Sequence, residues 1–80
     1  MGIKQAVVKR VKKLCNEKNI KFNSLATSAG VTPSTVYSLL DDSRKDVGII
    51  LIKKLCDGLE ITITEFFDDE LFKDIEQEIY

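Results

Sequence analysis

Eighty residues, 44% hydrophobic and 31% charged, suffice for one domain with one small core and are too apolar for a disordered chain. No apolar run approaches the roughly 20 residues of a membrane span, and the basic N-terminus lacks the apolar stretch and cleavage site of a signal peptide, so a cytoplasmic protein is expected. The formal net charge of −1 hides an asymmetry: residues 1–54 carry 11 Lys/Arg against 4 Asp/Glu, and residues 55–80 carry 1 against 9.

Residues 3–18 are predicted to form the first helix. Ile3, Val7, Val11 and Leu14 step by four, four and three, with Val8 and Cys15 widening the apolar stripe. Lys4, Lys9, Arg10, Lys12, Lys13 and Lys18 occupy the remaining faces. Asn19 suits a left-handed helix end, and Ile20 a buried link. The second helix is predicted over residues 22–29. Lys21 caps it poorly, which leaves Asn23 or Ser24 to serve.

Leu25, Ala26 and Ala29 lie three and four residues apart, on one helical face. Gly30 supplies a stop, because it enters the left-handed region without a Cβ clash. Val31 is an apolar anchor, and Thr32 an N-cap whose hydroxyl can accept a backbone N–H. Pro33 then stands at the first position of a third helix, where its missing N–H costs nothing. That helix, about residues 33–40, turns Val36 and Leu39 or Leu40 inward and Ser34, Tyr37 and Ser38 outward. On periodicity alone the stretch reads equally well as a helical hairpin with a polar surface or as a pair that sets one helix into a DNA major groove, about 12 Å wide.

Residues 41–48 are a loop. Arg44 and Lys45 are natural phosphate contacts there, each steepening the salt dependence of binding. Asp41 and Asp42 are unfavourable at the negative end of a helix and near DNA, unless they point away or cap the next helix. The fourth helix covers about residues 48–58, with Ile52, Leu55, Cys56 and Leu59 as its core stripe and Gly58 ending it. Ile49, Ile50 and Leu51 exceed what one face needs; they suit either a subunit contact or local core. After Ile61, Thr62 and Glu65 form a capping box that opens a short fifth helix with Phe66 and Phe67. Residues 68–80 are predicted as an acidic tail helix. Phe67, Leu71 and Ile75 recur every four residues, with Phe72, Ile79 and Tyr80 beside them. Such a tail folds back over the domain or pairs with a second subunit.

The two cysteines, Cys15 and Cys56, each fall on an apolar helix side and read as buried free thiols. With no His and no CxxC, imidazole catalysis is excluded, a zinc site has no support, and no cofactor is expected.

The residues Leu25-Ala26, Ala29-Gly30-Val31, Thr32, Val36 and Leu39 resemble the helix-turn-helix of the Cro/repressor-like (XRE) family of bacterial and phage DNA-binding regulators. The run from KKLCDGL to TEFF also resembles the end of such a domain, so the likeness covers about residues 5–67. It implies an all-α fold: a compact five-helix repressor-like domain over residues 1–67, with residues 68–80 as an additional C-terminal helix. It also implies base contacts from Pro33, Ser34, Tyr37 and Ser38, with Thr32 and Thr35 holding the backbone. Serine discriminates poorly between bases, so Tyr37 is expected to supply the main shape-dependent contact.

Relatives commonly place a Gln at the start of the second helix, against a DNA phosphate. Phe22 stands there, and Lys21 and Asn23 are the expected substitutes. Many relatives also bury an Arg–Glu pair where this chain has Cys15 and Leu40, a swap that apolar packing tolerates and that predicts their proximity. The resulting expectation is a sequence-specific regulator of double-stranded DNA, a repressor. A homodimer is expected, through Ile50, Ile63, Leu71 and Ile75. The alternative is a protein-interaction or antitoxin-like module, motivated by Asp41, Asp42, the acidic tail and the surplus apolar residues; no motif supports an enzyme.

Overall fold

The computed structural model describes residues 1–78. The elements run α1 (Ile3–Lys18), α2 (Phe22–Ala29), α3 (Pro33–Leu40), α4 (Ile49–Leu59) and α5 (Ile63–Phe67), followed by a 3-10 turn at Glu70–Phe72. No strand occurs among the described residues. The first three helices have the bounds their periodicity predicts.

Three helices end in the same way. Asn19, Gly30 and Glu60 each adopt the left-handed conformation, with φ of 54°, 73° and 59°. After each of them an apolar residue turns back, and its N–H donates to the carbonyl five residues earlier: Ile20 to Cys15, Val31 to Ala26 and Ile61 to Cys56, at 2.9–3.0 Å. This hydrogen-bond pattern satisfies carbonyls that a helix end leaves open and directs the apolar residue back towards the core. Asn19 and Gly30 are legible as such ends. Gly58 is not the third: α4 runs through it to Leu59, and Glu60 provides the end. Gly58 instead lies where α2 approaches α4. A Cβ there would stand 2.9 Å from the backbone N of Ala29, closer than real contacts allow.

The core joins Val7, Val11 and Leu14 of α1 to Leu25, Val36, Ile52, Leu55 and Leu59. Phe66 of α5 fills it, fully buried. Cys15 lies in this core, and Leu40 packs partly buried against the same cluster. The capping box of α5 forms in both directions: the Glu65 N–H donates to Thr62 Oγ1 and the Thr62 N–H to Glu65 Oε1, each at 3.0 Å.

The predicted tail helix is absent. Beyond α5 the chain makes the one 3-10 turn and then runs without regular structure to residue 78; Ile79 and Tyr80 of the predicted stripe lie outside the described residues. The cause is Arg10, which periodicity assigns to the solvated side of α1. It is buried, and its Nε donates to the Phe66 carbonyl at 2.7 Å and its Nη2 to that of Glu65 at 2.8 Å. Those carbonyls are therefore occupied at the C-terminus of α5. Arg10 Nη1 also pairs with Asp69 at 3.1 Å, and Lys13 reaches the same carboxylate at 2.7 Å. Asp69 is held extended, and Phe72 turns back against Phe66 and Phe67, ring centroids 6.1 and 4.9 Å away. The tail thus folds back over the domain through the ion-pair hub at Asp69, an aromatic cluster and, at Glu76, an ion pair with the N-terminal ammonium at 2.8 Å and a hydrogen bond from its N–H to the Met1 carbonyl at 3.0 Å.

Candidate nucleic-acid interface

The turn between α2 and α3 sets the geometry of the site. Gly30 reverses the chain and Val31 anchors it. Thr32 is extended at the N-cap position of α3, followed by Pro33. Its hydroxyl does not cap a backbone N–H, contrary to expectation. It shares hydrogen bonds with Ser34 Oγ at 3.0 Å and Thr35 Oγ1 at 2.9 Å, so three hydroxyls form a chain across the first turn of α3. No side chain caps α2 either: Lys21 holds the cap position, and Asn23 and Ser24 lie inside the helix. Among the described residues no side chain therefore accepts a hydrogen bond at the positive end of either helix, an arrangement that favours an anion.

Val36 and Leu39 of α3 are buried, while Pro33 and Ser34 face solvent and Ser38 and Thr35 are half-buried. Tyr37 is 51% exposed. Its ring meets that of Phe22 edge to face, with centroids 6.1 Å apart and planes at 88°. Beside it a groove of about 520 Å³ is lined by Lys12, Asn16, Lys21, Asn23, Ser24 and Tyr37, over a floor that includes Cys15 and Phe22. Among the described residues, no carboxylate lines it. The structure therefore brings Lys21, Asn23 and Tyr37 together and adds Lys12, expected only on the solvated faces of α1, and Asn16. Their signal was available: Lys12, Asn16 and Asn19 recur at i, i+4 and i+7 on one face of α1.

Arg44 and Lys45 are exposed but lie apart from this groove. They line a second cleft of about 550 Å³ together with Lys4, Asp42, Asp46, Glu76 and Glu78. Lys4 is mostly buried, and its Nζ donates to the carbonyls of Arg44 at 2.6 Å and Asp41 at 3.1 Å. It ties the loop to α1, a role that its place between apolar positions does not reveal. Asp41 turns into its own loop, its carboxylate accepting from the Ser43 N–H at 3.0 Å and hydroxyl at 2.9 Å. These bonds hold its pKa below the ordinary aspartate value. Neither Asp41 nor Asp42 caps the next helix; Gly48 holds that position. Cys15 and Cys56 are buried free thiols whose pKa burial raises.

A glycine-turned helix pair, with polar and aromatic side chains standing out from its second helix beside a cationic groove, defines a helix-turn-helix of the nucleic-acid-binding class. The Cro/C1-type HTH DNA-binding domain family matches residues 10–71, and the chain belongs to that family. The crystal structure of prophage Lp1 protein 11 is similar along nearly the whole length: TM-score 0.81 at 29% identity, covering 94% of this chain and 100% of that one. No curated protein matches the sequence. Among the described residues, no helix is long and apolar enough to cross a membrane.

Proposed function

We propose that this protein is a sequence-specific transcriptional repressor of the cytoplasm that sets α3 into the major groove of double-stranded DNA. Pro33, Ser34, Tyr37 and Ser38 meet base edges. Lys21, Asn23, Thr32, Thr35, Arg44 and Lys45 hold the sugar-phosphate backbone. The observation that carries this reading is the half-exposed Tyr37 on the outward face of α3, beside a groove lined by two lysines and, among the described residues, no carboxylate. Local field, rather than net charge, steers a polyanion to a surface. The test is equilibrium binding to randomised duplex DNA across a salt series, followed by selection of the bound sequences. Salt-sensitive binding with a recoverable site is expected. Absence of binding at low ionic strength ends this reading.

The working form is a homodimer, with Ile50, Ile63, Leu71 and Ile75 at the contact. Ile50 is 67% exposed and Ile49 60%, a surplus that a second subunit would cover. Two recognition helices must then stand roughly 34 Å apart to read half-sites on one DNA face. The same exposed pair favours a second reading, a domain that binds another protein through this patch. Sedimentation separates the two: a dimer that Ile50→Lys dissociates supports the first, and a monomer at all concentrations the second.

A further inference from the structure

We infer that Phe22 is a positioning residue for base readout, fixing the direction in which Tyr37 presents its phenol. The inference rests on the DNA-binding reading above. Tyr37 projects from the middle of α3, half exposed, and its side chain has two rotatable angles that solvent alone would leave undetermined. Phe22, the first residue of α2, is half-buried against the core and meets the Tyr37 ring edge to face at 6.1 Å. Perpendicular aromatic pairs at this separation are favoured by ring quadrupoles beyond their buried area. The Phe22 ring is anchored where it stands, so the contact restricts Tyr37 without burying it. A polar residue at the start of α2 would offer a hydrogen bond to a phosphate; Phe22 offers a wall for a reading side chain. The exchange moves part of the site's specificity from α2's own contact to the orientation of a residue on α3.

The selectivity arithmetic is modest and measurable. An aromatic pair of this kind corresponds to roughly a threefold to tenfold difference in preference between bases. The experiment uses duplexes recovered by selection with the unaltered protein, each base pair then varied singly. Binding is compared for the unaltered chain, Phe22→Leu, Tyr37→Ala and the double variant. Phe22→Leu keeps apolar volume against the core while removing the ring, and circular dichroism verifies that each variant is folded.

The expected result is that Phe22→Leu lowers discrimination, by roughly threefold to tenfold, only at the base pairs that Tyr37→Ala also flattens. The salt slope is retained, and no further change appears in the Tyr37→Ala background. Uniform weakening at every base pair, or effects that simply add in the double variant, overturns the inference and leaves Phe22 a packing residue. If Tyr37→Ala alters no base preference while the protein still selects a site, the inference fails and the regulator reading stands. If the unaltered chain selects no sequence, both fall.

Discussion

Two clefts hold the cations that matter for a polyanion, and they differ in what surrounds those cations. The groove beside Tyr37 sets Lys12 and Lys21 among amides, a hydroxyl and a phenol. The cleft at the loop sets Lys4, Arg44 and Lys45 among four carboxylates, two of them supplied by the returning tail. Both draw their positive charge from the basic N-terminal part of the chain, yet among the described residues only the first is lined by cations without carboxylates. Charge counted along the sequence therefore overstates what the loop can offer. Lys4, Arg10 and Lys13 are committed to internal struts, two of them to the acid segment itself.

The contrast depends first on the tail staying in place, and Arg10 holds it together with Lys13 and the Met1–Glu76 pair. Arg10→Ala removes the side-chain donor of two helix-end carbonyls and one of the two cations on Asp69, with Lys13 still in place, so a loss of about 1–3 kcal/mol in unfolding free energy is expected. Urea titration measures it; a loss below about 1 kcal/mol would reduce this hub to an ordinary surface pair. The next largest effect concerns DNA. Lys12→Gln with Lys21→Gln should weaken binding to all sequences and lower the salt slope by about 2. Arg44→Gln with Lys45→Gln should do less on both counts, and equal effects would erase the distinction between the clefts.

A gain is expected from the opposite change. Glu78→Gln removes negative charge beside Arg44 and Lys45 and leaves the Glu76 pair with the N-terminal ammonium intact; DNA affinity should rise roughly twofold at low salt and converge with that of the unaltered chain as salt screens the field. Unchanged affinity at low salt would show that this tail carboxylate does not reach the bound DNA.

The smallest effect is a pH dependence of the tail. Hydrogen bonding from Lys13 and the Leu71 N–H holds the Asp69 pKa below the ordinary aspartate range, and bonds from Thr62 do the same for Glu65. Groups depressed in the folded state stabilise it above their unfolded values of about 3.9 and 4.3. That contribution is lost as pH falls through the lower folded values. Thermal unfolding followed from pH 7 downward should be level until about pH 4 and then decline. With Asp69→Asn the decline should be shallower.

Much of the fold follows from local chemistry. The apolar steps of α1, the Gly30-Val31-Thr32-Pro33 turn and the Thr62–Glu65 capping box each act within a few residues, so periodicity and capping rules suffice to read them. Tyr37 is legible as an outward residue for the same reason. Gly58 misleads because a glycine near a helix end ordinarily terminates it; its reason for being there is the backbone of Ala29, remote in sequence. Phe22 as a neighbour of Tyr37, and Lys12 beside Lys21, are likewise products of how α1, α2 and α3 cross.

The sequence by itself determined the five helices of the domain, apart from where α4 ends, the turn that joins α2 to α3, and the face that α3 shows to solvent. Those depend on φ preferences, N-caps and apolar spacing, which act between residues close along the chain. Only the tertiary structure decided which lysines and arginines remain available to a partner and that the tail folds as a strap rather than a helix. The physical reason is that a cation's role is set by the nearest acceptor in space. For Arg10 that acceptor lies more than fifty residues away, at the end of α5.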